Sequence, residues 1–328
     1  MDALIETKEL KTYFPVHTEE GRQMVKAVDS VSLTIRPGET VGLVGESGCG
    51  KSTMGRTILG LAKRTSGQVW FQGQRIDDLS GSAMKPFRKD MQIIFQDPFA
   101  ALNPRKSIFD LVKAPLDAFH EGNTSERKER VRKMLDFVGI GDYQYDKYPH
   151  ELSGGQRQRV VIARAMILKP KFVVCDEAVS ALDVSIRAQV LNLMKDLQKE
   201  TGAAYLFISH DMSVVRYLCD RVAVMYLGRI VEEGTKDDVF SHPCHPYTKA
   251  LLSAIPRPET GVRRHRILLK GDVPSPLSIP KGCRFHTRCP FAQAACAAID
   301  TPLCSAGGSH RAACPTMAQV HKERSQTA

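Results

Sequence analysis

Apolar and polar positions alternate through much of residues 3–36, the period-two pattern of half-buried strands, and the pattern ends at the turn Pro37-Gly38. Thr40-Val41-Gly42-Leu43-Val44 is a short, nearly unbroken apolar run and predicts a buried strand, with a helix expected from Lys51. Val69-Trp70-Phe71 and Gln74-Arg75-Ile76 flank Gln72-Gly73, which predicts a small hairpin, and Met91-Gln92-Ile93-Ile94-Phe95 predicts another strand. Between about 98 and 153 the pattern changes. Val131, Met134, Leu135 and Val138 fall at helical spacing and strand signals vanish, so a helical insertion is expected within an α/β chain. Strand-like 171–176, helix-like 184–200 stopped by Gly202, strand-like 204–208 and a strand pair near 221–232 resume the α/β alternation. Beyond about 241 the chain is rich in Pro, His and Cys and reads as an appended region, with a tail from about Thr316.

Composition narrows the class without choosing a function. The 328 residues suffice for one large domain or two smaller ones, and 42% apolar with 25% charged residues is ordinary for a globular chain. Apolar runs such as Phe172-Val173-Val174-Cys175 are far too short to cross a bilayer, and the first residues lack a basic segment followed by an apolar one. The expectation is a cytoplasmic chain that reaches a membrane through partners. A formal charge of +10 raises nucleic acid as a partner, but the basic residues are dispersed and no nucleic-acid-reading motif accompanies them. The one long basic stretch, 126–133, is interrupted by acids and reads as a solvated helix face; the other cluster is Arg263-Arg264-His265-Arg266.

Three motifs carry chemistry. Gly45-Glu46-Ser47-Gly48-Cys49-Gly50-Lys51-Ser52, between a strand and a helix, is a complete phosphate-binding loop. Its glycines let backbone N–H groups curl around phosphate oxygens, and the following helix presents its positive dipole end. Lys51 is expected to reach the β- and γ-phosphates, and Ser52 to place a hydroxyl on Mg²⁺. Phe172-Val173-Val174-Cys175-Asp176-Glu177 has the form of a buried strand ending in two carboxylates. Alone that is only a strand end; downstream of a phosphate loop it makes Asp176 a magnesium ligand, through water, and Glu177 the group that polarises the attacking water. Leu152-Ser153-Gly154-Gly155-Gln156 precedes a helix, where small residues and free N–H groups make a second phosphate grip, although Ser153 is also an ordinary helix cap. One ATP seldom needs two grips from one chain, so each is expected to serve a different, facing subunit.

With these motifs in this order, residues 5–240 resemble the ATP-binding-cassette (ABC) ATPases. The resemblance implies a P-loop α/β nucleotide-binding domain with a RecA-like core, an antiparallel β subdomain and a helical subdomain at about 98–153, over residues 1–240. It implies ATP contacts at Gly45, Ser47, Gly48, Cys49, Gly50, Lys51, Ser52 and Thr53, and across a dimer at Ser153, Gly154, Gly155, Gln156 and Asp183. Gln96 matches the Q-loop residue that senses Mg²⁺, so the magnesium set becomes Ser52, Gln96 and Asp176. Ser180-Ala181-Leu182-Asp183 matches the D-loop, His210 the switch histidine that touches the γ-phosphate, and Phe14 the aromatic that stacks on adenine, with Tyr13 as the alternative. The catalytic set is then Glu177, His210 and Gln96. One departure is visible: Ala178-Val179 stands where the family usually has Pro-Thr, and both carboxylates are kept.

Residues 241–328 resemble the C-terminal extension of oligopeptide and dipeptide importer ATPases, on His245-Pro246-Tyr247-Thr248, Gly271-Asp272-Val273-Pro274 and Gly282-Cys283-Arg284-Phe285-His286. The resemblance implies ATP-driven peptide uptake by a peripheral subunit on the cytoplasmic face of the inner membrane. The same family serves importers of nickel, glutathione or peptide antibiotics, and a non-transport ABC ATPase is a further alternative. Implied partners are a second ATPase subunit, expected to differ from this chain with a homodimer as the alternative, two transmembrane permeases and an extracytoplasmic peptide-binding protein. Nine cysteines without an export signal do not read as a disulfide framework. Cys49, Cys175, Cys219 and Cys244 read as packing residues. Thiolates at the spacing of Cys283, Cys289, Cys296 and Cys314 say only "metal"; the resemblance points to a [4Fe–4S] cluster, with zinc as the alternative and Cys304 as the spare. The cluster lies far in sequence from Lys51 and Glu177, so a structural or regulatory role is expected for it, with no part in hydrolysis.

Overall fold

The computed structural model describes residues 2–19, 21–255 and 267–314. The basic cluster at 263–266 and the expected tail from Thr316 lie outside the described residues. Along the chain the strands are β1 (Ile5–Thr18), β2 (Gly21–Ile35), β3 (Thr40–Val44), β4 (Ser66–Phe71), β5 (Gln74–Arg75), β6 (Met91–Ile94), β7 (Phe172–Asp176), β8 (Ala204–Ser209), β9 (Arg221–Tyr226), β10 (Arg229–Thr235), β11 (Cys304–Gly307) and β12 (His310–Ala312). The helices are α1 (Lys51–Ile58), α2 (Lys85–Asp90), α3 (Pro98–Ala101), α4 (Ile108–Ala118), α5 (Thr124–Phe137), α6 (Gly154–Met166), α7 (Val184–Thr201), α8 (Met212–Leu218), α9 (Lys236–Ser241) and α10 (Pro246–Ser253).

The chain forms two compact units, each gathered from separate stretches of sequence. One comprises 1–4, 35–39 and 71–208. In it β6, β7 and β8 run parallel, with Ile94 beside Cys175 and Asp176 beside Ile208. Every residue of β7 and β8 is buried, as a parallel strand covered on both faces requires. The helical insertion packs α4 on α5 and α6, and α6 also packs on α7. Local chemistry sets the ends of these helices. Asn123 and Glu126 close a reciprocal capping box on α5. Asp183 caps α7, which stops at Gly202 in the left-handed region (φ 69°), where the sequence places its end.

The other unit comprises 5–34, 40–70 and 209–328. Its antiparallel sheet has the order β2-β1-β4, and a second sheet runs β11-β12-β10-β9-β3. There β3 is parallel to β9, and the remaining pairs are antiparallel. Residues expected to form a loop-rich appendage therefore end in a hairpin whose β12 hydrogen-bonds β10, Glu232 facing Ala312 and Glu233 facing Arg311. The reason is electrostatic as well as topological. Arg311 pairs with Glu233, and His310 Nε2 lies 2.7 Å from the fully buried Glu232 carboxylate.

Candidate functional site

The structure divides the sequence motifs between the two units: the phosphate loop and His210 belong to one, and Gln96, Ser153–Gln156, Asp176, Glu177 and Asp183 to the other. The loop leaves β3 and turns through Gly45 (φ 155°), Gly48 (φ 78°) and Gly50 (φ 106°) into α1. Its glycines answer to different needs. A Cβ on Gly45 would lie 2.2 Å from the Met225 carbonyl oxygen, and one on Gly50 would lie 1.9 Å from that of Ala27. A Cβ on Gly48 meets nothing within 4 Å, so that side of the loop is open. Lys51 is buried, and its Nζ donates to the carbonyls of Gly45 (2.8 Å) and Glu46 (2.9 Å), which tie the ammonium to the loop. Ser52 and Thr53 follow in the first turn of α1, half-buried. The Cys49 thiol is pushed up from its ordinary pKa by burial.

Phe14 and Tyr13 differ in freedom. Phe14 is exposed on β1. Tyr13 donates its hydroxyl to the buried Asp29 and has Lys26 over its ring, 5.9 Å from the centroid. Burial first, then that hydrogen bond, raises the Tyr13 pKa to about 12. Burial alone would raise the Asp29 pKa; hydrogen bonds from Tyr13 and Arg284 outweigh it and hold the carboxylate ionised. His210 is exposed just beyond β8, next to Asp211, which caps α8.

In the other unit Asp176 is buried at the end of β7, and Glu177 follows in the left-handed region (φ 48°) that non-glycine residues rarely enter. The turn is held by the Glu177 N–H on the Ile208 carbonyl (3.0 Å) and by the Ser180 N–H and hydroxyl on the Glu177 carbonyl. Ala178 and Val179, the departure from the usual pair, are buried beneath it. Gln96 Nε2 donates to Glu177 Oε2 at 2.9 Å, which brings two predicted site residues together across 81 positions of sequence. Ser153 is the N-cap of α6 and closes a capping box with Gln156, while remaining exposed. Asp183 caps α7 and accepts from the Ile186 N–H and the Ser185 hydroxyl, which lower its pKa.

The four expected metal cysteines share a neighbourhood. Burial is the main cause that raises the Cys283 pKa, and the sulfurs of Cys314, Cys296 and Cys289 add to it. The segment is pinned by the Cys283 N–H on the Cys296 carbonyl (2.8 Å) and by Gly282 (φ 70°), where a Cβ would lie 2.5 Å from that oxygen. Cys304 stands apart in β11, its thiol on the Pro302 carbonyl. A second group was missed. Among the described residues, the metal-type donors that come within 4.8 Å of one another are Glu232, Cys244 and His310. Hydrogen bonds fill that set: Glu232 accepts from the N–H groups of Cys244 and His245, and the His310 ring lies between Glu232 and the Cys244 sulfur. Cys244 therefore does more than pack.

Also unforeseen is a contact from the cysteine segment to the phosphate loop. Arg288, one position before Cys289, places Nη1 2.7 Å and Nη2 3.2 Å from the two carboxylate oxygens of Glu46. Tyr247 Oη accepts the Glu46 N–H at 2.7 Å. The sequence offers no spacing signal for a contact spanning 242 residues.

Comparison with known proteins agrees with the geometry. The ABC transporter family model matches residues 28–180, and that of the oligopeptide/dipeptide transporter C-terminal region matches residues 231–296. The oligopeptide transport ATP-binding protein AppF of Bacillus subtilis is 50% identical over 319 residues, covering 95% of this chain and 97% of its own. The oligopeptide transport ATP-binding protein OppF of Salmonella typhimurium is 47% identical over 321 residues, covering 95% of each. Among solved structures, the dimeric cassette MJ0796 in a post-hydrolysis state with ADP and Pi is similar with a TM-score of 0.64 at 29% identity, over 71% of this chain and 98% of that one. The chain is an ABC ATPase and belongs to the oligopeptide/dipeptide branch of the ABC transporter ATP-binding proteins.

Proposed function

We propose that this chain hydrolyses ATP to drive peptide uptake as the peripheral subunit of an ABC importer, paired with a second cassette and bound to two permeases fed by a peptide-binding protein. The observation that carries the reading is the phosphate loop, built with its lysine buried and its helix in place, in a chain 50% identical to an oligopeptide transport ATP-binding protein over 95% of its length. No helix among the described residues is long and apolar enough to cross a membrane, which suits a subunit that docks on others. The loop N–H groups and Lys51 bind the phosphates, and the exposed Phe14 stacks on adenine. Ser52, Gln96 and Asp176, the last through water, would hold Mg²⁺, which would supply charge neutralisation at the phosphates. Glu177 orients and polarises the attacking water, and its bond to Gln96 keeps the carboxylate aimed until the site engages. His210 contacts the γ-phosphate. Ser153 to Gln156 and Asp183 serve the ATP of the partner subunit.

Glu177→Gln is expected to lower turnover by about 10²–10⁴-fold while ATP affinity stays within about twofold, because shape is kept and charge is lost. ATPase assay and nucleotide titration of the purified complex decide it; near-normal hydrolysis would refute the role.

The donor chemistry at Cys283, Cys289, Cys296 and Cys314 fits a thiolate-bound metal. The neighbouring sulfurs of Cys314, Cys296 and Cys289 help to raise the Cys283 pKa, and four thiolates gathered in one place need a cation to compensate them. A tetrahedral zinc site, with Zn–S of about 2.3 Å, needs sulfurs about 3.8 Å apart. The resemblance of this segment to the peptide-importer extension favours a [4Fe–4S] cluster, with zinc as the alternative. Iron and sulfide are expected at about four each per chain after anaerobic purification, lost in Cys289→Ser and kept in Cys304→Ser. Metal-free wild type would end this assignment, and stoichiometric zinc would redirect it.

A further inference from the structure

The Arg288–Glu46 pair has a place in the fold that packing alone does not explain. Glu46 is the one acidic residue in the phosphate loop, next to groups whose task is to attract anions. An uncompensated carboxylate there would repel the phosphates the loop is built to hold. Each polar part of Glu46 is assigned instead. Its N–H goes to Tyr247 Oη, its carbonyl accepts from Lys51 Nζ, and its carboxylate is grasped by both terminal nitrogens of Arg288. The pair is largely shielded, the Arg288 side chain 9% and the Glu46 side chain 28% exposed. Arg288 keeps its proton more firmly than usual, first because of the Glu46 carboxylate.

The support behind Arg288 is rigid. Phe285 is buried against Tyr226 and Tyr247, with ring centroids 5.3 and 5.4 Å away, and Tyr226 and Tyr247 lie 4.7 Å apart. The Arg288 N–H bonds the Phe285 carbonyl, and the neighbouring Arg284 reaches Asp29 and the Leu227 carbonyl. One aromatic platform thus carries both groups that grip Glu46.

We propose that Arg288 is a positioning residue for ATP binding. From the cysteine-bearing segment it fixes the curve of the phosphate loop through Glu46 and cancels the loop's negative charge. Tyr247 supplies the second hold, on the backbone. A loop fixed before the nucleotide arrives loses less entropy on binding, and removal of the brace is felt as weaker affinity.

The inference rests on residues 45–53 being the ATP site, and the test separates the two. Mg-ATP is titrated by calorimetry into the purified full chain and into Lys51→Ala, Arg288→Ala, Arg288→Lys, Glu46→Gln and Glu46→Gln/Arg288→Ala. Arg288→Ala is expected to weaken ATP about tenfold, and Arg288→Lys to recover part of the loss. The double variant is expected to bind more tightly than Arg288→Ala alone, since the repelling charge is gone. In the assembled complex the loss falls on KM for ATP more than on kcat. Strictly additive losses, or unchanged affinity in Arg288→Ala while Lys51→Ala weakens ATP, would overturn the role of Arg288. Unchanged affinity in Lys51→Ala would overturn the site itself.

Discussion

A Cβ on Gly155 would lie 2.5 Å from Ile186 Cγ2, whereas a Cβ on Gly154 would meet nothing within 4 Å. Adjacent and chemically identical, the two glycines answer to different constraints: Gly155 lets α6 close on α7, and Gly154 keeps clear the surface above the helix N-terminus. Gly155→Ala is therefore expected to cost about 1–3 kcal/mol through overpacking, seen as a melting temperature lower by several degrees. Gly154→Ala should hold its melting temperature within about a degree or two and instead lower ATPase activity in the assembled complex. Equal thermal losses in both would show that the distinction is false. The pattern Leu152–Gln156 gave both glycines one purpose, phosphate contact, because periodicity and motif say nothing about what a neighbouring helix brings to each position. The same limit hid Arg288: its partner is set by tertiary folding, and a lone arginine between two cysteines carries no mark of it.

Among the elements, those with strong local signals were legible. The helix expected at 184–200 is α7, because Asp183 and Gly202 are chemical stops at its ends. The expected hairpin at 69–76 turns at Gln72 (φ 50°) and Gly73 (φ 77°). The β11–β12 hairpin escaped notice, since strands of four and three residues hold too little alternation to register, although Gly307-Gly308 is a turn signal. That hairpin brings in His310, whose pKa is raised to about 10 by the Cys244 sulfur and the Glu232 carboxylate. Nearby His245, fully buried, is lowered to about 4 and stays neutral. A histidine whose folded pKa lies above its unfolded value stabilises fully below about pH 6.5, progressively less above it, and not at all beyond about pH 10. The gap in melting temperature between wild type and His310→Gln should accordingly narrow as pH rises from 6.5 to 10. A gap independent of pH would show that the imidazole does not titrate in this window.

At the scale of the whole molecule, the sequence displays its motifs in a single line, but the two compact units draw on that line in alternation. All the nucleotide motifs, from Phe14 to His210, lie in the first two-thirds of the chain, which is why the activity could be read so early. What braces them arrives later. Strand β10 is complete at Thr235, yet its neighbour β12 does not begin until His310. During synthesis the ribosome must therefore add 77 residues after β10 before β12 is complete and can cover its open edge, about 4–15 s at typical elongation rates. Through that interval Glu232 and Glu233 wait without His310 and Arg311, and a row of unpaired backbone groups faces the crowded interior of the cell. Among the described residues the last strand to be made is the one that covers β10, so a ribosome that stalls between these two points releases a chain with every nucleotide motif and an uncovered β10.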